Sequence, residues 1–278
     1  TWVPGGKGGE SEALLGKWMK DRGNRSRIFI ASKVGFPVPA DKMDIGLSAK
    51  QIETECNGSL KRLGIETINL YYAHHDDRNT PLEESLEAFQ RLIKAGKVRF
   101  IGASNFITWR LEKAHWISHN KGWPEFCCIQ QRFSYLRPVS GAEFDPQIAA
   151  SSELLDYCQT RRIRLLAYSP LLGGVYNIKN YQLDPHYQSP ENEIRLTALR
   201  EVADELGATP IQVVLAWLIQ SKPEVIPLLG VENQEQLNDN LGALDITLSE
   251  DQIFKLSTAG NISTSHFDAK LKKNRLAK

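Results

Sequence analysis

Two histidines and two aspartates stand together as His74, His75, Asp76 and Asp77, directly after the apolar run INLYYA. Four ionisable side chains at the end of a buried strand mark either a capped loop or a place where protons are handled. A second charge sits in a comparable position, because the run RIFIASK at 27 to 33 closes on Lys33. An ammonium at the end of a buried strand must reach water along its stem or find a carboxylate. Lys33 alone reads as a snorkelling lysine, and His74 alone as a packed structural histidine. A Lys and a His at corresponding strand ends read instead as parts of one site. His75 is expected to line the mouth of that site and Asp77 to begin or cap the loop.

The next strand ends add neutral polar groups. GASN at 102 to 105 carries Ser104 and Asn105, and IQQ at 129 to 131 carries Gln130. Hydroxyls and amides brought to one face can hydrogen-bond a carboxamide. AYSPL at 167 to 171 places Tyr168 and Ser169 before a loop with Gly173 and Gly174. The plain reading is a packed Tyr and a turn. The functional reading is a ring stacked on a flat heterocycle, with backbone N–H groups cradling phosphate. The pair His115 and His119 has i, i+4 spacing in HWISH, which invites a zinc site. Trp116 stands where an HExxH motif has its Glu and no third ligand is evident, so a surface helix face is the expectation.

These residues need elements to position them. Ser11 to Lys20 puts Leu14, Leu15, Trp18 and Met19 on one helical face, and RIFIASK follows as a strand. A capping box at Ser48 to Gln51 opens a helix to about Leu63, Gly64 stops it, and TINLYYAH follows. PLEESLEAFQRLIKAG leads to VRFIGASN, a helix over 110–118 to FCCIQQRF, one over 146–159 to IRLLAYSP, and one over 210–220 to EVIPLLG. Six apolar strands, each entered from a helix, predict a parallel sheet covered by helices. Periodicity leaves an open doubly wound sheet and a closed (β/α)₈ barrel both standing. Turns entering strands are short, whereas 35 to 47, 134 to 144 and the stretch from Leu171 to Pro190 leave strands as long loops. Long loops at the carboxyl ends of strands are where α/β proteins build sites. The sequence has no GxGxxG after a strand, no P-loop and no GxSxG, which favours the barrel.

Composition narrows the partners. The 278 residues carry 34 basic and 33 acidic side chains for a net charge of +1, without a long single-sign run. That balance argues against capture of nucleic acid or of an anionic membrane, and towards a small molecule. No apolar run approaches a membrane span and no signal peptide is evident. Cys56, Cys127, Cys128 and Cys158 lack CxxC spacing, which reads as reduced thiols in a cytoplasmic protein. One domain over residues 1–278 is expected, the basic tail KLKKNRLAK is a solvated terminus, and no pattern fixes an oligomeric state.

Taken in order, ASKVGF, LYYAHHDD, GKVRFIGASNF, IQQRFS, AYSPL and VIPLLGVENQEQLNDNLGAL resemble the aldo-keto reductase superfamily over the whole chain. The resemblance implies a (β/α)₈ barrel (TIM barrel) that binds an extended nicotinamide dinucleotide, and a hydride transfer to the carbonyl of an aldehyde, ketone or sugar-like substrate. It assigns catalytic roles to Lys33 and His74. The Asp and Tyr of the family's catalytic set belong before GGESE at 8 to 12, so an upstream piece of roughly 40 to 60 residues with the first two strands is expected. Ser104, Asn105 and Gln130 would hold the carboxamide and Tyr168 would stack on the ring. Ser169, Pro170, Leu171 and Gly173 would face the pyrophosphate, and the segment from Gly230 and Val231 to Asn240 would hold the adenosine end. Relatives often place Ser, Lys or Arg there against a 2′-phosphate. Glu232 and Gln236 occupy those positions here, which opens NAD(H) beside the family's usual NADP(H). The alternative reading is a dinucleotide-binding regulatory module with little catalysis.

Overall fold

The computed structural model describes residues 8–36, 46–178 and 182–261. The basic tail and most of the 35 to 47 loop lie outside the described residues. Two compact units are distinguished, the first containing the described residues up to Phe133 with Phe144–Tyr168 and Lys222–Leu228, the second the remainder.

The first unit alternates helix and strand: α1 (Glu10–Arg22), β1 (Ala31–Val34), α2 (Ala49–Leu63), β2 (Ile68–Ala73), α3 (Leu82–Lys94), β3 (Val98–Ser104), α4 (Thr108–Lys121), β4 (Phe126–Arg132), α5 (Ser152–Arg161), β5 (Arg164–Tyr168) and, later in the chain, β6 (Val225–Pro227). Local signals set these boundaries. The Ser48 hydroxyl accepts from the Gln51 N–H at the head of α2, and Gly64 at φ 64° closes it. The helix expected from residue 146 begins only at Ser152. Ala149 instead bridges to Arg132, and the Ser151 hydroxyl caps the helix by accepting from the Leu154 N–H.

All strand pairs are parallel and their spatial order is β1 to β6, the order of the chain. A doubly wound sheet reverses direction partway, whereas a barrel does not. The fold is therefore α/β of the (β/α) barrel type, and among the described residues it is a six-stranded arc with β1 and β6 at the edges. The strands alternate between two layers. Tyr71 packs edge-on against Phe89 of α3 at 6.0 Å, and Phe126 contacts both Phe89 and Phe106. Leu70, Tyr72, Cys128 and Leu166 form a separate cluster on the opposite face. Burial of each large apolar side chain contributes about 1.5–3 kcal/mol, so the helix-facing layer holds the strand ends in place.

The second unit is helical, with α6 (Pro190–Leu206), α7 (Pro210–Gln220), α8 (Gln234–Leu241) and α9 (Glu250–Thr258). Apolar α7 is buried along most of its length. The buried Arg195 of α6 lies 4.2 Å from the Tyr135 ring and donates to the carbonyls of Tyr135 and Ala259. The long stretch after Leu171 is not structureless, since short 3₁₀ turns occupy Leu172–Asn177 and Pro185–Tyr187. Among the described residues no single helix is long and apolar enough to cross a membrane.

Candidate active site

Parallel register aligns Lys33 with Tyr72 and Tyr72 with Gly102, one rung below the C-terminal rim of the sheet. Gly102 makes this row possible. A Cβ there would lie 2.7 Å from the Tyr72 ring and 2.9 Å from the Cys128 sulfur, so the phenol occupies the space a side chain would need. The Lys33 ammonium sits 5.6 Å from the Tyr72 ring centre. Among the described residues no carboxylate pairs with Lys33, and burial lowers its pKa. Tyr72 is not an available acid. Burial drives its pKa far above the ordinary phenol value, and its hydroxyl accepts from the Cys128 thiol at 3.5 Å.

His74 follows β2 at the rim. Its N–H donates to the Val34 carbonyl at 2.8 Å, and Phe36 packs edge-on against its ring at 4.4 Å. Burial, reinforced by the neighbouring Lys33 and His75, pulls its pKa down to about 3, so the imidazole is neutral at physiological pH. His75 Nε2 lies 2.7 Å from the Gly35 carbonyl, which can only accept, so that nitrogen carries the proton. This bond ties the end of β2 to the loop after β1. Asp76 is held between Arg110 and Arg78, and Asp77 caps the loop by accepting from Leu47, Asn79 and Thr80. The four-residue ionisable run thus divides into a half-buried neutral imidazole, a histidine tied to the loop after β1, and two carboxylates held by arginines and by loop donors. Asp76 was noted from sequence only as part of the run, and its partner Arg110, in α4, was not singled out.

Ser104 and Gln130 are register partners at the rim, with exposures of 1% and 7%. Asn105 follows at φ 55°, and its N–H donates to the Gln131 side chain at 2.9 Å. The Tyr168 hydroxyl donates to Asn105 Oδ1 at 2.8 Å. A buried hydroxyl and a buried amide beside a half-buried phenol form a donor set suited to a planar carboxamide.

In the second unit, Ser169 at φ 53° opens the turn through Pro170 and Leu171, and space beside Gly173 is open. Gly230 and Val231 precede α8. The Glu232 N–H donates to Gln236 Oε1 and the Gln236 N–H to Asn233 Oδ1, so Gln236 closes the first turn of α8 while the Glu232 carboxylate faces solvent; Asn240 is buried on the same helix. His115 and His119 stack at 5.7 Å, and both face Glu125, at 2.8 and 3.6 Å, a neighbour the sequence reading missed. Among the described residues no group of His, Cys, Asp and Glu is arranged to hold a metal.

A parallel sheet in chain order, with Lys33 and His74 at its carboxyl rim and Ser104, Gln130 and Tyr168 at the neighbouring strand ends, is a (β/α) barrel arrangement with its polar groups gathered on one rim. A sequence model of the Aldo/keto reductase family matches residues 7–260, and the chain belongs to that family. It is 31% identical over 266 residues to "Aldo-keto reductase str7" of Strobilurus tenacellus, covering 88% of this chain and 72% of that one. It is 28% identical over 270 residues to "Aldo-keto reductase yakc [NADP(+)]" of Schizosaccharomyces pombe, covering 90% and 75%. Among solved structures it resembles the thermostable aldo-keto reductase Tm1743 in complex with the inhibitor epalrestat, at a TM-score of 0.69 and 30% identity, covering 90% of this chain and 77% of that one.

Proposed function

We propose that the chain carries the hydride-transfer site of a carbonyl reductase acting on a small aldehyde, ketone or sugar-like substrate. The observation that carries this reading is the adjacency of Lys33 and a neutral, half-buried His74 at the end of two paired strands. A bound nicotinamide dinucleotide would supply the hydride. Ser104, Asn105 and Gln130 would hold its carboxamide and Tyr168 would lie against its ring. In the second unit, Ser169, Pro170, Leu171 and Gly173 are assigned to the pyrophosphate, and Gly230, Val231, Glu232, Gln236 and Asn240 to the adenosine end.

The roles of the protein groups follow from their charge states. A neutral imidazole can donate one hydrogen bond to a carbonyl oxygen without becoming an acid itself, so His74 orients and polarises the substrate. The Lys33 ammonium, with no carboxylate paired to it among the described residues, stabilises negative charge on a neighbouring phenolate or on the substrate oxygen. Tyr72 does not supply that phenol, for the reasons given above. The free cysteines suit a reducing, cytoplasmic setting.

Oxidation of NADPH and NADH is followed with simple aldehydes and ketones. Turnover that requires both Lys33 and His74 is the expected result. Binding of the dinucleotide with no turnover on any carbonyl would instead favour the regulatory module.

A further inference from the structure

Cys127 and Cys128 are neighbours in β4, and neighbours in a regular strand point to opposite faces of the sheet. Here they do not. The register pairs Ile101 with Phe126 and Ala103 with Ile129, so a step of two residues on β3 is matched by a step of three on β4. Both cysteines therefore stand opposite the single Gly102, as a β-bulge. Phe126 and Tyr71, the partners of Ile101 on either side, both pack against Phe89 of α3, which puts them on the helix-facing layer. Ala103 lies two residues beyond Ile101 and keeps its partner Ile129 on that same layer. The two cysteines between Phe126 and Ile129 are left to the opposite face, where Cys128 packs with Leu70 and Tyr72.

The pair differs in access and in charge. Cys127 is exposed, whereas Cys128 is buried at 4% exposure, its sulfur 3.5 Å from the Tyr72 hydroxyl. Contact with the Cys128 thiol favours a thiolate at Cys127 and lowers its pKa, while the same contact, reinforced by burial, raises that of Cys128. One sulfur is thus an accessible nucleophile and the other a protonated thiol beside it. Opposite them Gly102 has no side chain to stand in the way.

We propose that Cys127 and Cys128 form a vicinal dithiol site that takes a soft trivalent arsenic centre, of the class of the organoarsenous acids. Cys127 attacks first and displaces one hydroxyl from arsenic. Cys128, one residue away, then displaces the second in an intramolecular step with a high effective concentration. Two As–O bonds break and two As–S bonds form. The two hydroxyls leave as water with the two thiol hydrogens, and arsenic stays trivalent, so neither oxidant nor reductant is consumed. The site is separate from Lys33 and His74, and the proposal does not rest on the carbonyl-reductase reading.

The full chain is incubated with phenylarsine oxide, which hydrates in water to the arsenous acid, and its intact mass and free thiols are measured. The expected product carries one phenylarsenic group and has lost two titratable thiols. Peptide mapping should place the arsenic on the segment that holds Cys127 and Cys128. The adduct should survive excess glutathione, a monothiol, and be released by 2,3-dimercaptopropanol, a dithiol. Cys127→Ser changes an exposed side chain and leaves the packing of Cys128 intact. It is expected to weaken apparent affinity by about a hundredfold or more, the gain that a second linked bond gives. Arsenic mapped to Cys56 or Cys158, an adduct stripped by glutathione, undiminished affinity in Cys127→Ser, or an unreactive wild-type chain would each overturn the proposal.

Discussion

Lys33 and His74 show how one burial serves two groups differently. Both lose solvation, which disfavours charge on each, and they repel one another when both are charged. The imidazole yields, because its ordinary pKa is already near neutrality. This has a stability consequence with a definite sign. The folded His74 takes its proton only near pH 3, whereas the unfolded residue takes it near 6.5. Between those values the unfolded chain binds more protons, so stability falls as pH is lowered, by up to about 1.4 kcal/mol per pH unit. Urea unfolding at pH 7.5 and 5 should show wild-type protein losing more stability than His74→Asn, with the two curves differing least at the higher pH. Equal losses would mean that His74 is solvated in the folded state. Lys33→Met carries the opposite balance. Replacing a buried ammonium with an apolar chain is expected to stabilise the fold by on the order of 1 kcal/mol. Turnover should fall at least a hundredfold, while NADPH affinity changes little. A variant that is less stable or still active would remove the unpaired ammonium from the mechanism.

Elements, rather than single side chains, decide where these groups meet. Parallel pairing could be expected from alternation, because near-continuous apolar runs such as INLYYA suit a strand covered on both faces, whereas strand order could not, since a doubly wound sheet fits the same alternation. Lys33, His74, Ser104, Gln130 and Tyr168 were all legible as strand-end residues for the same reason. Asn105 was legible as a polar strand end, but its hydrogen bonds were not, since their partners His74, Ser104, Ile148 and Tyr168 come from four places in the chain. No local pattern encodes such a convergence. The start of α5 was misplaced because Pro146 resembles a helix N1 residue, while the bridge of Ala149 to Arg132 extends the strand layer first. The helices α6 and α9 passed unremarked although Ser189 with Pro190, and Ser249 with Gln252, are cap signals as clear as Ser48. Gly102 is the position where the sheet is most sensitive. Gly102→Ala would force a methyl against the Tyr72 ring and the Cys128 sulfur, and overpacking of this kind costs about 1–3 kcal/mol. Chemical denaturation measures it, and Gly102→Ala with Tyr72→Phe should not recover the loss, because the clash is with ring carbons. Recovery in that double variant would place the conflict at the hydroxyl instead.

At the scale of the whole molecule, charge is nearly balanced, 34 basic against 33 acidic residues. A field of that kind cannot select between NADPH and NADH, which differ by one phosphate, so selection must come from groups close to the ribose. Glu232 is one of three acidic residues in the segment assigned to the adenosine end, with Glu235 and Asp239, and its main-chain N–H is already held by Gln236 at 2.9 Å. The loop is therefore fixed by its own amide, and the carboxylate can be exchanged without unravelling the first turn of α8. A carboxylate repels a 2′-phosphate and accepts a bond from a free 2′-hydroxyl, whereas an ammonium does the reverse. Glu232→Lys is thus expected to move the ratio of NADPH to NADH affinity towards NADPH by about tenfold or more at low salt, about 1.4 kcal/mol. The gain should shrink as ionic strength rises, because the new pair is exposed. Fluorescence titration of both cofactors at two salt concentrations separates the cases. A shift that shrinks with salt places Glu232 beside the ribose. An unchanged ratio detaches the α8 segment from cofactor choice and leaves the selection to residues elsewhere.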